Sequence, residues 1–354
     1  MRLSKTRILI VDDNAATLKL LEHALSKEGA VCLTANCGDS ALGIAADQPV
    51  DLVLTDIHMP GMDGLQFMEK LKKRVSVDVV VMTADIGRFR YDKIIEMGAV
   101  DFLVKPLNMR EVALRLQRAI RERRLIGELE AAHETIKQSY LDTIRRLVVA
   151  AEHNDECTGD HIARMSEYCA LLAQLMKLPK NFVENLRHAA PMHDIGKIGI
   201  SNRILSKPGS LSDKEFERVK THTLIGAHIL EDSASEVISL GREIALSHHE
   251  KWDGTGYPNG LKGEEIPLSG RIVCVADVFD TLISPRPYKS VYPPSLAYSF
   301  IEERLGTHFD PFIGRTFLDH FDKFLKLSSF VVEELPQTAE LKSILSERDI
   351  SKMR

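Results

Sequence analysis

The chain has 354 residues, 44% of them hydrophobic and 27% charged, which suits two or three globular domains with sizeable cores. Its net charge of -5 argues against a dedicated nucleic-acid binder, which would carry a basic face, but leaves room for a small anionic ligand held by local cations. No window approaches the ~18 to 20 apolar residues of a membrane span, and the Cys at 32, 37, 157, 169 and 274 show no CxxC or paired spacing, so a reducing, cytoplasmic setting is expected.

In chain order, RILIV at 7–11 is a short β-branched run ending at Asp12 and Asp13, and similar runs recur at 50–55, 77–82 and 101–104. Amphipathic stretches such as LKLLEHALSKEG and GLQFMEKLKKR lie between them. Strands alternating with helices of that length predict a parallel sheet with right-handed crossovers. Functional groups in such sheets gather at the carboxyl ends of the strands, and those ends carry Asp12, Asp13, Asp56, Thr83 and Lys105. Three acids converging on one edge repel unless a cation lies among them, so a Mg²⁺ site is the economical reading.

Together with DIHMPGMDG and Lys105-Pro106, this region resembles a response-regulator receiver domain over residues 5–122. The resemblance implies a doubly wound, five-stranded parallel sheet. It implies that Asp56 accepts a phosphoryl group from a cognate histidine kinase and that Asp12, Asp13 and Asp56 hold Mg²⁺. Lys105 would neutralise the phosphoryl group, and Thr83 with Phe102 would form the switch.

From Asn108 to about Ala150 there is no Pro, and Gly127 is the only Gly. As one helix this stretch would extend about 65 Å, too long for a lone receiver helix. Leu125, Leu129, Ala132, Ile136 and Thr143 lie near a heptad seam that Tyr140, Ile144 and Leu147 shift. Two readings fit: a short imperfect coiled coil, or a charged helix packed on its own domains. The boundaries expected are a helical linker over 123–149, a third segment over 150–332 and a charged tail over 333–354.

After 150 no strand-like alternation occurs, and turn signals at 178–181, 206–212, 257–260 and 284–287 separate helical patterns, so an all-α domain follows. Six of the 13 histidines fall between 188 and 249. His193-Asp194-Ile195-Gly196-Lys197 offers an imidazole and a carboxylate at one point, a pair suited to a divalent metal. His161, His222, His248, His249 and Asp277 are candidates to complete the shell. Asp277 interrupts the apolar run RIVCVADVFDTLI, where an ionised carboxylate is costly unless paired or metal-bound. His248 and His249, about 100° apart on a helix, suit two directions in one metal's shell.

DECTGDH ending at His161, HDIGK at 193–197, the isolated His222, HHEKWDGTGYP at 248–258, Asp277 and RPYK at 286–289 occur in one order. They identify residues 150 to about 320 as similar to the HD-GYP family of cyclic di-GMP phosphodiesterases. The resemblance implies that His161, His193, Asp194 and Asp277 serve one metal and that Asp194, His222, His248 and His249 serve the other, with iron or manganese as the metals. Two such cations about 3.5–4 Å apart bring a bridging water's pKa toward about 7 and grip a phosphodiester's attacking and leaving oxygens. Lys197, Arg286 and Lys289 would supply positive charge to the substrate, Lys197 beside Asp194 in the catalytic set and Arg286 gripping phosphate bidentately. Some family members bind a third metal through a Glu four residues before the first His; Cys157 stands there, beside Glu156, which favours a binuclear site.

Gly254, Gly256, Tyr257 and Pro258 combine backbone freedom with a rigid turn, as a lid or rim requires. The resemblance places Gly256, Tyr257 and Pro258 at the site mouth, in contact with substrate and with diguanylate cyclase partners. Trp252, the only Trp, is read as packing beneath that loop in preference to stacking on guanine. Histidines at 23, 58, 133, 153, 188, 228, 308 and 320 match no ligand position.

The expected function is therefore a two-component response regulator that linearises cyclic di-GMP to pGpG, with GMP as the further product, under control of Asp56 phosphorylation and as a homodimer. The alternatives are a metal-bound receptor or scaffold for the dinucleotide or for a cyclase, and an enzyme acting on a related cyclic dinucleotide.

Overall fold

The computed structural model describes residues 3–84, 91–152, 159–207, 209–284 and 293–334. The chain divides into two compact units, residues 1–136 and 137–354.

The first unit is an all-parallel sheet of five strands, β1 (Arg7–Val11), β2 (Val31–Ala35), β3 (Leu52–Asp56), β4 (Asp78–Thr83) and β5 (Asp101–Val104), in the order β2-β1-β3-β4-β5. Strict alternation along the strands sorts their side chains to two faces. Leu9, Val11, Val53, Val79 and Val81 pack on one side with Phe67 and Met68 of the Gly64–Lys72 helix. Ile8, Ile10, Leu52, Leu54, Val80 and Met82 pack on the other with Leu21 and Leu25 of the Ala15–Lys27 helix and with Val112 and Leu116. Both faces are covered, so β3 is buried along its whole length, with the apolar run Leu52, Val53 and Leu54 leading to Thr55 and Asp56. The strand missing from the four sequence runs is β2. It lies at the sheet edge with mixed exposure, and its residues VCLTA carry no comparable apolar signal.

Met109–Glu152 is one helix of 44 residues, as the absence of Pro predicts. Its first turns bury Val112, Leu116 and Ala119 against the sheet, and Val148 and Ala151 near its end join the core of the second unit. Residues 121–139 are exposed throughout, so Leu129 and Ile136 stand 71% and 69% open to solvent.

The second unit is helical, with Tyr168, Phe279, Phe317 and Phe324 at the centre of its core. Aromatic edges meet faces there, as between Tyr168 and Phe279 at 5.3 Å. A helix, Phe321–Glu334, closes the described part, and the charged tail beyond it lies outside the described residues. No helix of the described residues is long and apolar enough to cross a membrane.

Candidate metal centre

Five elements of the second unit deliver the candidate ligands. His161 is on the first turn of the Gly159–Leu175 helix, and His193 and Asp194 are on the 3₁₀ segment Ala190–Gly199. His222 opens the His222–Ile229 helix, and His248 caps the Glu236–Ser247 helix with His249 next. Asp277 projects from the Leu268–Ile283 helix. The 3₁₀ segment can approach the His222 helix because residue 196 is Gly: a Cβ there would lie 1.9 Å from the His222 carbonyl oxygen.

The ligand atoms form two groups, each within 4.8 Å of one another: Asp194, His222, His248 and His249; and His161, His193 and Asp277. Asp194 stands between them. Its Oδ2 is 3.3 Å from His193 Nε2, and its Oδ1 is 3.2 Å from His222 Nε2. His193 Nε2 is in turn 3.9 Å from Asp277 Oδ1. Burial opposes ionisation of Asp194, yet Lys197, His193 and His222 hold its carboxyl well below the ordinary range. Lys197 Nζ is 2.6 Å from Asp194 Oδ2. Burial lowers His248, and burial together with His248 holds His249 far below the usual histidine value, so both rings are neutral.

The backbone orients three of the imidazoles. His193 Nδ1 donates to the Ala190 carbonyl at 3.0 Å, His222 Nδ1 to Val219 at 2.7 Å and His248 Nδ1 to Ile244 at 3.0 Å. Each Nε2 therefore turns toward Asp194, which is the arrangement of metal-binding histidines. Imidazole nitrogens and carboxylate oxygens converging in a buried space fit divalent cations.

Sequence reasoning missed what lies behind His161. Its Nδ1 bonds Asp280 Oδ2 at 2.7 Å, and Arg164 grips the same carboxylate through Nε at 2.5 Å and Nη2 at 2.9 Å. Burial alone would raise the Asp280 carboxyl, but Arg164 and His161 bring it down to about 2. The cost argument that singled out Asp277 applies equally to Asp280, three residues on in the same apolar run.

A cavity of about 670 Å³ opens beside Asp194, Lys197, His248, His249, Tyr257 and Asp277. It is also lined by Lys251, within the HHEKWDGTGYP segment, and by Phe300, Arg304 and His308, which have no local sequence signal. Trp252, half-buried, does not line it; the Arg271 guanidinium lies 5.8 Å from its ring. Arg286, Lys289, His153, Glu156 and Cys157 lie outside the described residues.

In the first unit Asp12 and Asp56 are buried, Asp13 is exposed, and their carboxylates form a third cluster. Lys105 Nζ donates to Asp12 at 2.9 Å and to Asp56 at 2.7 Å. Thr83 is buried at the end of β4 and Phe102 is half-buried on β5.

A sheet ending in an acid cluster and a helical unit with a two-part imidazole and carboxylate centre define a response regulator with a metal-dependent hydrolase as its output. The receiver-domain family model matches residues 8–117, and the HD-domain model matches 107–313. A cyclic di-GMP phosphodiesterase of Thermotoga maritima is 38% identical over 330 residues, covering 88% of this chain and 89% of that protein. The cyclic di-GMP phosphodiesterase response regulator RpfG of Xanthomonas campestris is 37% identical, covering 86% and 85%. A 3'3'-cGAMP-specific phosphodiesterase of Vibrio cholerae is 37% identical over 54% of this chain and 37% of its own length. The chain belongs to the receiver-linked HD-GYP phosphodiesterase family and is a metal-dependent phosphodiesterase.

Proposed function

We propose that the chain hydrolyses cyclic di-GMP to pGpG, and pGpG onward to GMP, at a binuclear centre. The observation that carries this reading is the shared position of Asp194 between two ligand groups. Iron or manganese bound there would activate water and polarise the phosphodiester. The chain's own residues hold and charge the substrate. Lys197 places an ammonium beside Asp194, the cavity admits a dinucleotide-sized ligand, and Tyr257 forms its rim. The full-length relatives named for cyclic di-GMP support that substrate.

Phosphorylation of Asp56 by a kinase is proposed as the regulatory input, with Mg²⁺ held by Asp12, Asp13 and Asp56 and with Thr83 and Phe102 as the switch. Lys105 already bridges Asp12 and Asp56, the position from which it would neutralise a phosphoryl group. A homodimer and diguanylate cyclase partners belong to the same proposal.

A second reading, 3'3'-cGAMP as substrate, draws on the Vibrio cholerae relative. Turnover of cyclic di-GMP, 3'3'-cGAMP and cyclic di-AMP by the Mn²⁺-loaded protein separates the two. The proposal expects cyclic di-GMP to be cleaved fastest.

A further inference from the structure

The segment after the paired imidazoles closes on its own beginning. Glu250, directly after His249, is 2% exposed. One of its carboxylate oxygens accepts the Asn259 N–H at 2.7 Å and the other accepts the Leu261 N–H at 3.0 Å. A buried carboxylate holding two backbone amides is a strong, charge-assisted clamp. It fixes the chain just beyond Tyr257-Pro258. On the near side the Tyr257 N–H donates to the His249 carbonyl at 3.2 Å. Gly256 passes so close that a Cβ would lie 2.3 Å from the Lys251 nitrogen and 2.6 Å from the His249 oxygen. Held from both sides, the Tyr257 ring stacks on the His249 imidazole at 4.7 Å and 27°. Phe216 and the Lys220 ammonium flank the tyrosine at 6.4 and 5.5 Å.

His249 differs from the other four imidazoles of the centre. His161, His193, His222 and His248 are each oriented by a bond from Nδ1 to a carboxylate or a backbone carbonyl. Among the described residues no hydrogen bond is recorded to either ring nitrogen of His249; the His248 ring is tilted against it at 4.0 Å, and the Tyr257 ring is the one stacked on its face.

We propose that Glu250 is a positioning residue of the metal centre: through the amides of Asn259 and Leu261 it presses Tyr257 against His249 and so sets that imidazole's orientation. The segment is then a clamped rim whose stacking replaces the missing Nδ1 anchor. The inference rests on the reading of His249 as a metal ligand.

The test uses the full chain, stripped with chelator and titrated with Mn²⁺, with bound metal counted by elemental analysis. Glu250→Gln keeps the shape but sets an amide N–H against a backbone N–H. It and Tyr257→Leu should each weaken binding at one of two sites about tenfold or more, the range for groups that orient a ligand. Because both act through one ring contact, the double variant should bind no more weakly than Tyr257→Leu alone. Losses that simply add, or wild-type affinity in Tyr257→Leu, overturn the clamp, and the latter does so even if Glu250→Gln does not fold. His249→Ala is the reference. Loss of a site there with full binding in the other two overturns the clamp alone, and full binding in His249→Ala overturns the ligand reading and the clamp with it.

Discussion

The Nε2 of His222 stands 3.5 Å from the Nε2 of His248. Both rings already donate through Nδ1 to carbonyl groups, of Val219 and Ile244. A carbonyl only accepts, so both rings are oriented through Nδ1, and both Nε2 atoms converge on Asp194 Oδ1, at 3.2 and 3.7 Å. On the proposed reading these two nitrogens and the carboxylate oxygen are donors to one metal.

His222→Ala should therefore cost the chain one metal. Elemental analysis of protein reconstituted with Mn²⁺ should show about one ion fewer per chain than wild type, with turnover down by two orders of magnitude or more.

Asp280 is expected to act on the other ligand group. Asp280→Asn leaves a neutral acceptor opposite His161 Nδ1 and should weaken metal binding by about 10–100-fold. Arg164→Ala leaves the buried carboxylate uncompensated and should destabilise the second unit by about 3–5 kcal/mol in denaturant titrations. The folded Asp280 carboxyl ionises near 2, below its ordinary 3.8. Its stabilisation is thus complete above pH 3.8 and is lost as pH falls toward 2.

His308, on the cavity wall, acts with the same sign in a milder range. Burial, with Lys251 and Arg304 nearby, lowers it from 6.5 to about 4. Above pH 6.5 it is neutral in both folded and unfolded chains. Between 6.5 and about 4 only the unfolded chain takes up the proton, so stability falls across that window. His308→Gln should flatten this part of the curve of melting temperature against pH.

Asp56→Ala should abolish phosphoryl uptake from acetyl phosphate, read by intact-mass spectrometry. In wild type, beryllofluoride should change both turnover and oligomeric mass; if neither moves, the proposed route from Asp56 to the catalytic unit loses its support.

Much of the architecture was legible because it rests on local patterns. Apolar runs mark β1, β3, β4 and β5, the first two ending in acids, and Pro-free sequence from 109 to 152 marks the long helix. The edge strand β2 was not marked, since partial exposure removes the apolar run. The candidate metal ligands were legible as motifs, and the structure brings Asp194, His222, His248 and His249 together in one cluster and His161, His193 and Asp277 in another. Glu250 and Asp280 were not singled out, because a partner 9 or 119 residues away decides whether a buried acid is a clamp, a ligand orienter or a simple ion pair. Arg304 and His308 reach the cavity only through tertiary folding.

The most direct test is turnover of cyclic di-GMP by the purified, Mn²⁺-loaded chain beside Asp194→Ala, with products separated by chromatography. Wild type should release pGpG and then GMP, and the variant should fall at least about a thousandfold, since removing the bridging carboxylate disrupts both ligand groups. Equal rates in the two proteins would contradict the account.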